Sequence, residues 1–526
     1  MPKEKIKRPA KALDSMEQVA LGFEIYSTSN QKEIPVSGIS FREGDPKKLF
    51  VGETRLSSYL QQQDLGYVIR LSEFLEAYDY SAFAKAYKVS GRKAIHPRVV
   101  LGLIIYGILM RQWSLRQLES LAKRDVGAWW ICGGLQPDHS TIGKFLNLHS
   151  ELLSEAFFTT LTQQIVRKLN LGPNDAAGDG TVIEAAASHY KVLKAEAARL
   201  AAKEAEENAL NHPEDQNAII KAQRLNVAAE TATKKQEVLQ KLGKDFSSVR
   251  VVPEEPQAVV QPLKNKLCRP SYKPSILVDK NRFIVGQYVH PTNENLALKP
   301  MLEQHQEIYG QLPKRTLLDA GYHNADVLNL FVSLELDVLC PSGAVDKTNI
   351  WEKQSKGQLA KSAFRYEENE DIYVCPQNQK LHRDGTGKDA NNRRYRQYLC
   401  KTCSTCPIAK TCTTSIKGRT IKRFEGEELK EAMGQIMKHP LARKEYRQRK
   451  AMVEPVFAEM KERQDLKRFH RKGLQKVKVE FALHCVANNL KRAIRLEADA
   501  LLVVFTLYYR QNDGPWQIAG IGCSII

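Results

Sequence analysis

Hydrophobic positions in the first third of the chain follow a helical period from Val68 onward. Pro97 leads into VVLGLIIYGILM, where unbroken apolarity after a first-turn proline predicts a buried helix. Ser114 stands three residues before Gln117, the spacing of a capping box, and opens SLRQLESLAKR. A further helix is predicted at PDHSTIGKF, capped by Asp138 or Ser140, with Phe145, Leu148 and Leu152 as its apolar stripe. Residues 65–170 therefore read as a helical domain. Residues 1–64 mix polar stretches with short apolar runs and read as a basic, loosely structured arm.

The pattern changes at NDAAGDGTVIEAAAS, where a short β-prone stretch follows Asp179–Gly180. An Ala/Lys/Glu-rich segment, 184–245, predicts one or two long helices interrupted near His212–Pro213. SILVDKNRFIVGQYV predicts a β-hairpin around Asp279–Lys280–Asn281. Helix (LALKPMLEQHQEIYG), strand (RTLLDAGYH), helix (ADVLNLFVSL) and strand (LDVLCPSG) follow. A hairpin joined to alternating strands and helices predicts a mixed α/β sheet over 171–348. Residues 349–425 read as an irregular cysteine-bearing insertion, 426–510 as helices returning to the core, and 511–526 as a tail.

Composition narrows the class. Hydrophobic residues make up 42%, enough for packed cores, and the net charge of +19 suggests a polyanionic partner. The N-terminus is basic without an apolar core, unlike a signal peptide, and the longest apolar run, 99–110, is too short to span a bilayer. Ten cysteines in a chain of this length do not indicate a disulfide scaffold. Charge is uneven: residues 375–480 hold 27 Lys and Arg against 12 Asp and Glu, most of the excess in one fifth of the chain.

Three acids stand out. Asp179 lies in GDGT at a strand, where it could equally be a turn residue. Asp319 ends an apolar strand, and ligand sites of α/β sheets favour such ends. Glu454 lies in YRQRKAMVEPVFAEMK. If 447–461 is helical, Val453, Val456, Phe457 and Met460 form a core face. Arg447, Lys450, Glu454 and Lys461 share a neighbouring stripe, either a solvated ion-pair row or a metal-binding acid among phosphate-binding cations. Pro455 disfavours regular helix at Glu454.

GDGT, LLDAGY and YRQRKAMVEPVFAEMK, in that order, resemble the DDE transposases of bacterial insertion sequences, specifically the branch named for insertion sequence eleven-eighty-two. IHPRVVLGLIIYG, SLRQLE and PDHSTIGKF resemble that branch's N-terminal helical domain. CPQNQKL, CKTCSTCPIAKTC and RKGLQKVKVEFALHCVANNLKR add to the match, which covers roughly 65–495. The wider superfamily spaces Tyr, Arg, Glu and Lys by two, three and six residues. Here two residues separate Tyr446 from Arg449, four separate Arg449 from Glu454, and six separate Glu454 from Lys461. Lys450 restores the spacing of three, so either base can fill the arginine's place.

The resemblance implies an RNase H-like fold that brings Asp179, Asp319 and Glu454 together as catalytic residues and ligands of two Mg²⁺ (or Mn²⁺) ions. Oxygen donors suit such ions, and two ions about 4 Å apart can serve both the attacking and leaving oxygens of an in-line displacement. It also implies DNA contacts by Arg447, Arg449, Lys450 and Lys461. The implied activity is cleavage and strand transfer at the element's terminal inverted repeats, by a cytoplasmic, nucleoid-associated protein acting as a dimer on DNA. Two other readings stay open: a DNA-binding protein without catalysis, and a metal-dependent nuclease.

Cys400, Cys403, Cys406 and Cys412 carry repeated C-x-x-C spacing that suits a structural Zn²⁺, with Cys375 and His382 as competing ligands. Leftover thiols of a variable loop would look the same. In the helical domain, a helix-turn-helix-like unit would place Thr141 and Lys144 toward DNA. The same residues could be ordinary solvated positions on a dimerisation domain.

Overall fold

Helix Pro97–Leu109 begins where the buried His96 ring accepts the Arg98 amide at 3.1 Å. Burial pushes the His96 pKa down to about 4, keeping the imidazole neutral and able to accept. The computed structural model describes residues 31–241, 245–263, 267–291, 294–342, 359–389 and 392–511. Its contacts separate Met1–Asn170, Arg463–Asp465 and Ala482–Ile526 from Leu171–Glu462 and Leu466–Phe481.

In the first unit the expected helices are present. The Ser114 amide donates to Gln117 Oε1 at 3.2 Å at the start of Leu115–Arg124. Asp138, not Ser140, caps His139–Leu148 by accepting the Thr141 amide at 2.6 Å. The buried stripe of that helix is Ile142, Phe145 and Leu146; Leu148 is exposed, because the helix ends there and a new one starts at Ser150. Residues 31–64 are not the loose arm expected. Gln31–Val36 pairs with Ile39–Gly44, and Phe41 is fully buried. The charges that made this stretch look solvated are used internally: Glu43 and Arg98 form a buried ion pair. Residues 1–30 and the tail beyond 511 lie outside the described residues.

The second unit holds a mixed sheet. We label its main strands β1 (Ala176–Gly180), β2 (Cys268–Asp279), β3 (Ile284–His290), β4 (Arg315–Leu317) and β5 (Asp337–Leu339). Their order across the sheet is β3-β2-β1-β4-β5. The first three pair antiparallel; β4 runs parallel to β1, and β5 parallel to β4. This is the mixed α/β architecture expected. Asp279 explains why the hairpin turns where it does. Its buried carboxylate accepts the Phe283 amide and the Tyr309 hydroxyl, both at 2.8 Å, tying the turn to helix Leu298–Tyr309.

Between β1 and β2 the chain makes helices Ala195–Asn211 and Gln216–Lys241, broken at His212 as the proline predicts. The two pack through small residues, Ala198 and Ala202 on one, Ala222 and Ala228 on the other. Their alanine-rich faces bury little and leave the Lys and Glu positions in water. Residues 359–424 are more regular than their sequence suggests. Five short strands, from Arg365–Glu367 to Thr420–Phe424, pair in sequential order as an antiparallel meander. Exposed Arg and Lys on the long strands hide the alternation, since only a few side chains per strand face the core.

Candidate active site

Strand register places the two aspartates. Thr316 pairs with Ala176 and Leu317 with Ala177, so continuing two residues puts Asp319 level with Asp179 at the carboxyl ends of neighbouring parallel strands. Such strands lie about 4.8 Å apart. Each carboxylate is oriented by the backbone that follows it. The Gly180 amide donates to Asp179 Oδ1 and the Gly321 amide to Asp319 Oδ1, both at 2.9 Å.

Helix Gln448–Ala458 packs beside β1. Its buried face is Arg449, Met452, Val453 and Val456, not the purely apolar face expected from sequence; Phe457 is only half-buried. Arg449 Nη2 lies 3.0 Å from Asp179 Oδ2 and 3.9 Å from Asp319 Oδ2. Its side chain is 9% exposed, whereas the Asp179 and Asp319 side chains are 24% and 39% exposed, so the pair is buried on the arginine side and open to solvent on the acid side. Burial pushes the Asp179 carboxyl up from its ordinary range. The Arg449 charge pulls it down, and Asp319 and Glu294 push it up again.

Arg447, Lys450 and Glu454 are exposed on the other side of this helix; Asp179 and Asp319 meet at Arg449, and Glu454 does not join them at the geometry of a metal site. The helix runs through Pro455 and then widens to π geometry over Glu459–Arg463. Lys461, in that widened turn, donates its Nζ to Thr181 Oγ1, two residues beyond Asp179. Tyr446 is half-buried, and its phenol pKa is raised chiefly by burial, with Arg449, Asp319 and Asp179 among the charges acting on it. Among the described residues, no three Asp, Glu, His or Cys side chains meet at the geometry of a metal site. Thr141 is half-buried and Lys144 exposed on their helix in the other unit.

Sequence reasoning missed one member of this site. Glu294 follows β3 at the start of a short 3₁₀ turn, Glu294–Ala297. Its carboxylate fills the space that two glycines leave open. A β-carbon at Gly180 would lie 2.8 Å from Glu294 Oε2, and one at Gly321 would lie 3.0 Å from Glu294 Oε1 and 3.1 Å from Asp319 Oδ1. The last two distances put the Glu294 and Asp319 carboxylates within about 6 Å of each other. The glycine after Asp179 and the one two residues beyond Asp319 were the available signal; nothing in PTNENLAL marks which acid they accommodate.

Residues 374–494, which include Arg449, Glu454 and Lys461, match the family model described as transposase DDE domain. Residues 57–148 match transposase domain (DUF772). No curated protein matches the chain. These two matches, in this order along the chain, support a DDE transposase of an insertion sequence. No helix among the described residues is long and apolar enough to cross a membrane.

Proposed function

We propose that this transposase, of the branch its motifs resemble, binds the terminal inverted repeats of its element and catalyses metal-dependent cleavage and strand transfer through Asp179, Asp319 and Glu454. The carrying observation is the β1–β4 register, which sets two carboxylates level at adjoining strand ends. The sheet order supports an RNase H-like fold: an antiparallel three-strand ribbon extended by two parallel strands.

The donor set around these strand ends is oxygen-rich, which suits Mg²⁺ or Mn²⁺. Asp179 and Asp319 would hold the ions, Glu454 on the exposed side of its helix would be the third acid the motif supplies, and bound divalent ions would supply charge for the attacking and leaving oxygens. The chain's own groups do the rest. Arg449 holds the two aspartates together and offsets their repulsion. Lys461, anchored at Thr181, offers a cation beside the site for substrate phosphate. Arg447 and Lys450 extend that positive face along the exposed side of the helix, and Thr141 and Lys144 would contact DNA from the N-terminal domain. The unequal spacing of the last motif is thereby given a reading: Arg449 serves the carboxylates, and Lys450 faces solvent and DNA.

The test is to incubate the purified chain with its own flanking DNA and Mg²⁺ and to map cut and joined products. Cut and joined ends are expected. Cutting without joining would make the protein a nuclease, and binding without cutting would make it a DNA-binding protein alone.

A further inference from the structure

Five thiols of the meander sheet converge. Cys375, Cys400, Cys403, Cys406 and Cys412 all line one cavity of about 20 Å³, room for a single water-sized sphere. Cys375 comes from the turn after strand Ile372–Val374, and the others from the segment between strands Arg394–Leu399 and Thr420–Phe424. All five are unpaired thiols, so no disulfide joins these segments. Beyond Cys400 and Cys412, the buried core of this sheet is Leu359, Phe364, Tyr373, Leu381, Tyr398 and Ile421. A core of that size usually needs a cross-link or a metal to hold its shape.

Three further features are those of a thiolate site. Backbone amides point at sulfur: Gln379 donates to Cys375 Sγ and Arg419 to Cys403 Sγ, each at 3.3 Å. The second of these contacts needs Gly418, which sits at φ +103°, with a β-carbon position only 2.0 Å from the Cys400 carbonyl oxygen. The Arg419 side chain lines the same cavity and is nearly buried there. A guanidinium there would balance part of the negative charge that metal-bound thiolates carry.

The hydrogen-bond chain at Thr402 separates the ligands from the bystander. A threonine hydroxyl has one proton to give, and Thr402 gives it to Gln379 Oε1 at 3.1 Å. The 3.3 Å contact between Cys400 Sγ and Thr402 Oγ1 ties the buried Cys400 sulfur into this chain, next to a side chain that is no metal ligand. We propose that Cys375, Cys403, Cys406 and Cys412 bind one Zn²⁺ as a tetrathiolate, and that Cys400 is a packing thiol outside the set. This set differs from the four clustered cysteines that spacing alone singles out, and it is independent of the catalytic reading. Among the described residues no three sulfurs share coordination geometry. Binding draws the four sulfurs toward the cavity, and each thiol gives its proton to solvent as its Zn–S bond forms.

The test is metal analysis of the full chain purified without chelator and then supplied with ZnCl₂. One zinc per chain is expected, with loss on Cys375→Ser, Cys403→Ser, Cys406→Ser or Cys412→Ser and retention on Cys400→Ser. Should those variants fail to fold, Co²⁺ loading of the unaltered chain decides, since four thiolates give tetrahedral ligand-field bands together with sulfur-to-cobalt charge transfer. A zinc-free chain, an iron cluster, cobalt spectra without thiolate bands, or zinc lost in Cys400→Ser but kept in Cys375→Ser would overturn the assignment.

Discussion

Arg449 reaches Asp179 at 3.0 Å with the same nitrogen that stands 3.9 Å from Asp319. One guanidinium thus offsets part of the charge of two carboxylates that the sheet sets level, in the place proposed for divalent ions. Replacing Arg449 by Gln should cost about 1–2 kcal/mol of stability, the scale of a charged hydrogen bond whose acids stay open to water. Mg²⁺ should then raise the variant's melting temperature more than the wild type's, because it restores the missing charge. Equal Mg²⁺ shifts in the two proteins would mean that arginine and metal do not share these acids.

Glu454→Gln should lower DNA cleavage by at least about 100-fold, the effect of losing one transition-state charge interaction. Binding should remain, since it rests on Lys and Arg contacts to phosphate. Glu459→Gln and Glu462→Gln are the controls. If either of those stops cleavage while Glu454→Gln cuts normally, the wrong acid has been chosen.

Lys461→Ala should act on binding instead. One lost phosphate contact should weaken affinity modestly and reduce the salt slope by about one. The Lys461–Thr181 hydrogen bond adds a check: Thr181→Val should reproduce part of the loss by removing one of the contacts that position the lysine. An unchanged salt slope in Lys461→Ala would place that side chain off the DNA.

For Glu294, which lies between the two glycine turns, conversion to Gln should raise the Mg²⁺ concentration needed for half-maximal cleavage by about 10- to 100-fold, the range for residues that orient metal ligands. Mg²⁺ titration of cleavage measures it directly. An unchanged midpoint would leave Glu294 as a space-filling neighbour of Gly180 and Gly321.

Glu480 supplies a pH dependence remote from the aspartates. It is almost fully buried, and burial lifts its pKa to about 8, although its carboxylate accepts the His470 and Arg471 amides at 2.8 Å. An unfolded glutamate titrates near about 4.3. Between those values the folded chain holds a proton that the unfolded chain has released, so stability falls as pH rises from about 4.3 to about 8. Glu480→Gln should remove that slope, as read from denaturant midpoints across the range. A slope of the same size in both proteins would assign it to other groups.

Much of this architecture was legible because local chemistry and fold agree. The Ser114–Gln117 box, the Pro97 start, the His212–Pro213 break and the Asp279 turn are all set by residues within a few positions of one another. The N-terminal hairpin was not, because its Glu43 is balanced by Arg98, 55 residues away. Glu294 escaped for a related reason. Its place is defined by gaps at Gly180 and Gly321, and a gap has no sequence spacing. Arg449 looked like a phosphate contact because the resemblance implied one there, and sequence does not say which side of a helix turns inward. A base can occupy the buried stripe when acids wait opposite it.

The parallel pairing of Thr316 with Ala176 also bears on how the enzyme comes into being. It closes a loop of 140 residues, whereas the β2–β3 hairpin closes over a few. Such a contact is entropically late, so the hairpin should form first and the acid pair afterwards. Arg449 and Glu454 are made some 130 residues later still. We therefore expect a nascent or prematurely terminated chain to carry Asp179 and Asp319 without the groups that balance and complete them. Chains ending before residue 440 should yield folded sheet but no cut DNA, and cutting by such a fragment would refute this. Cleavage competence would then arrive only when synthesis is nearly finished, protecting the host chromosome from incomplete enzyme.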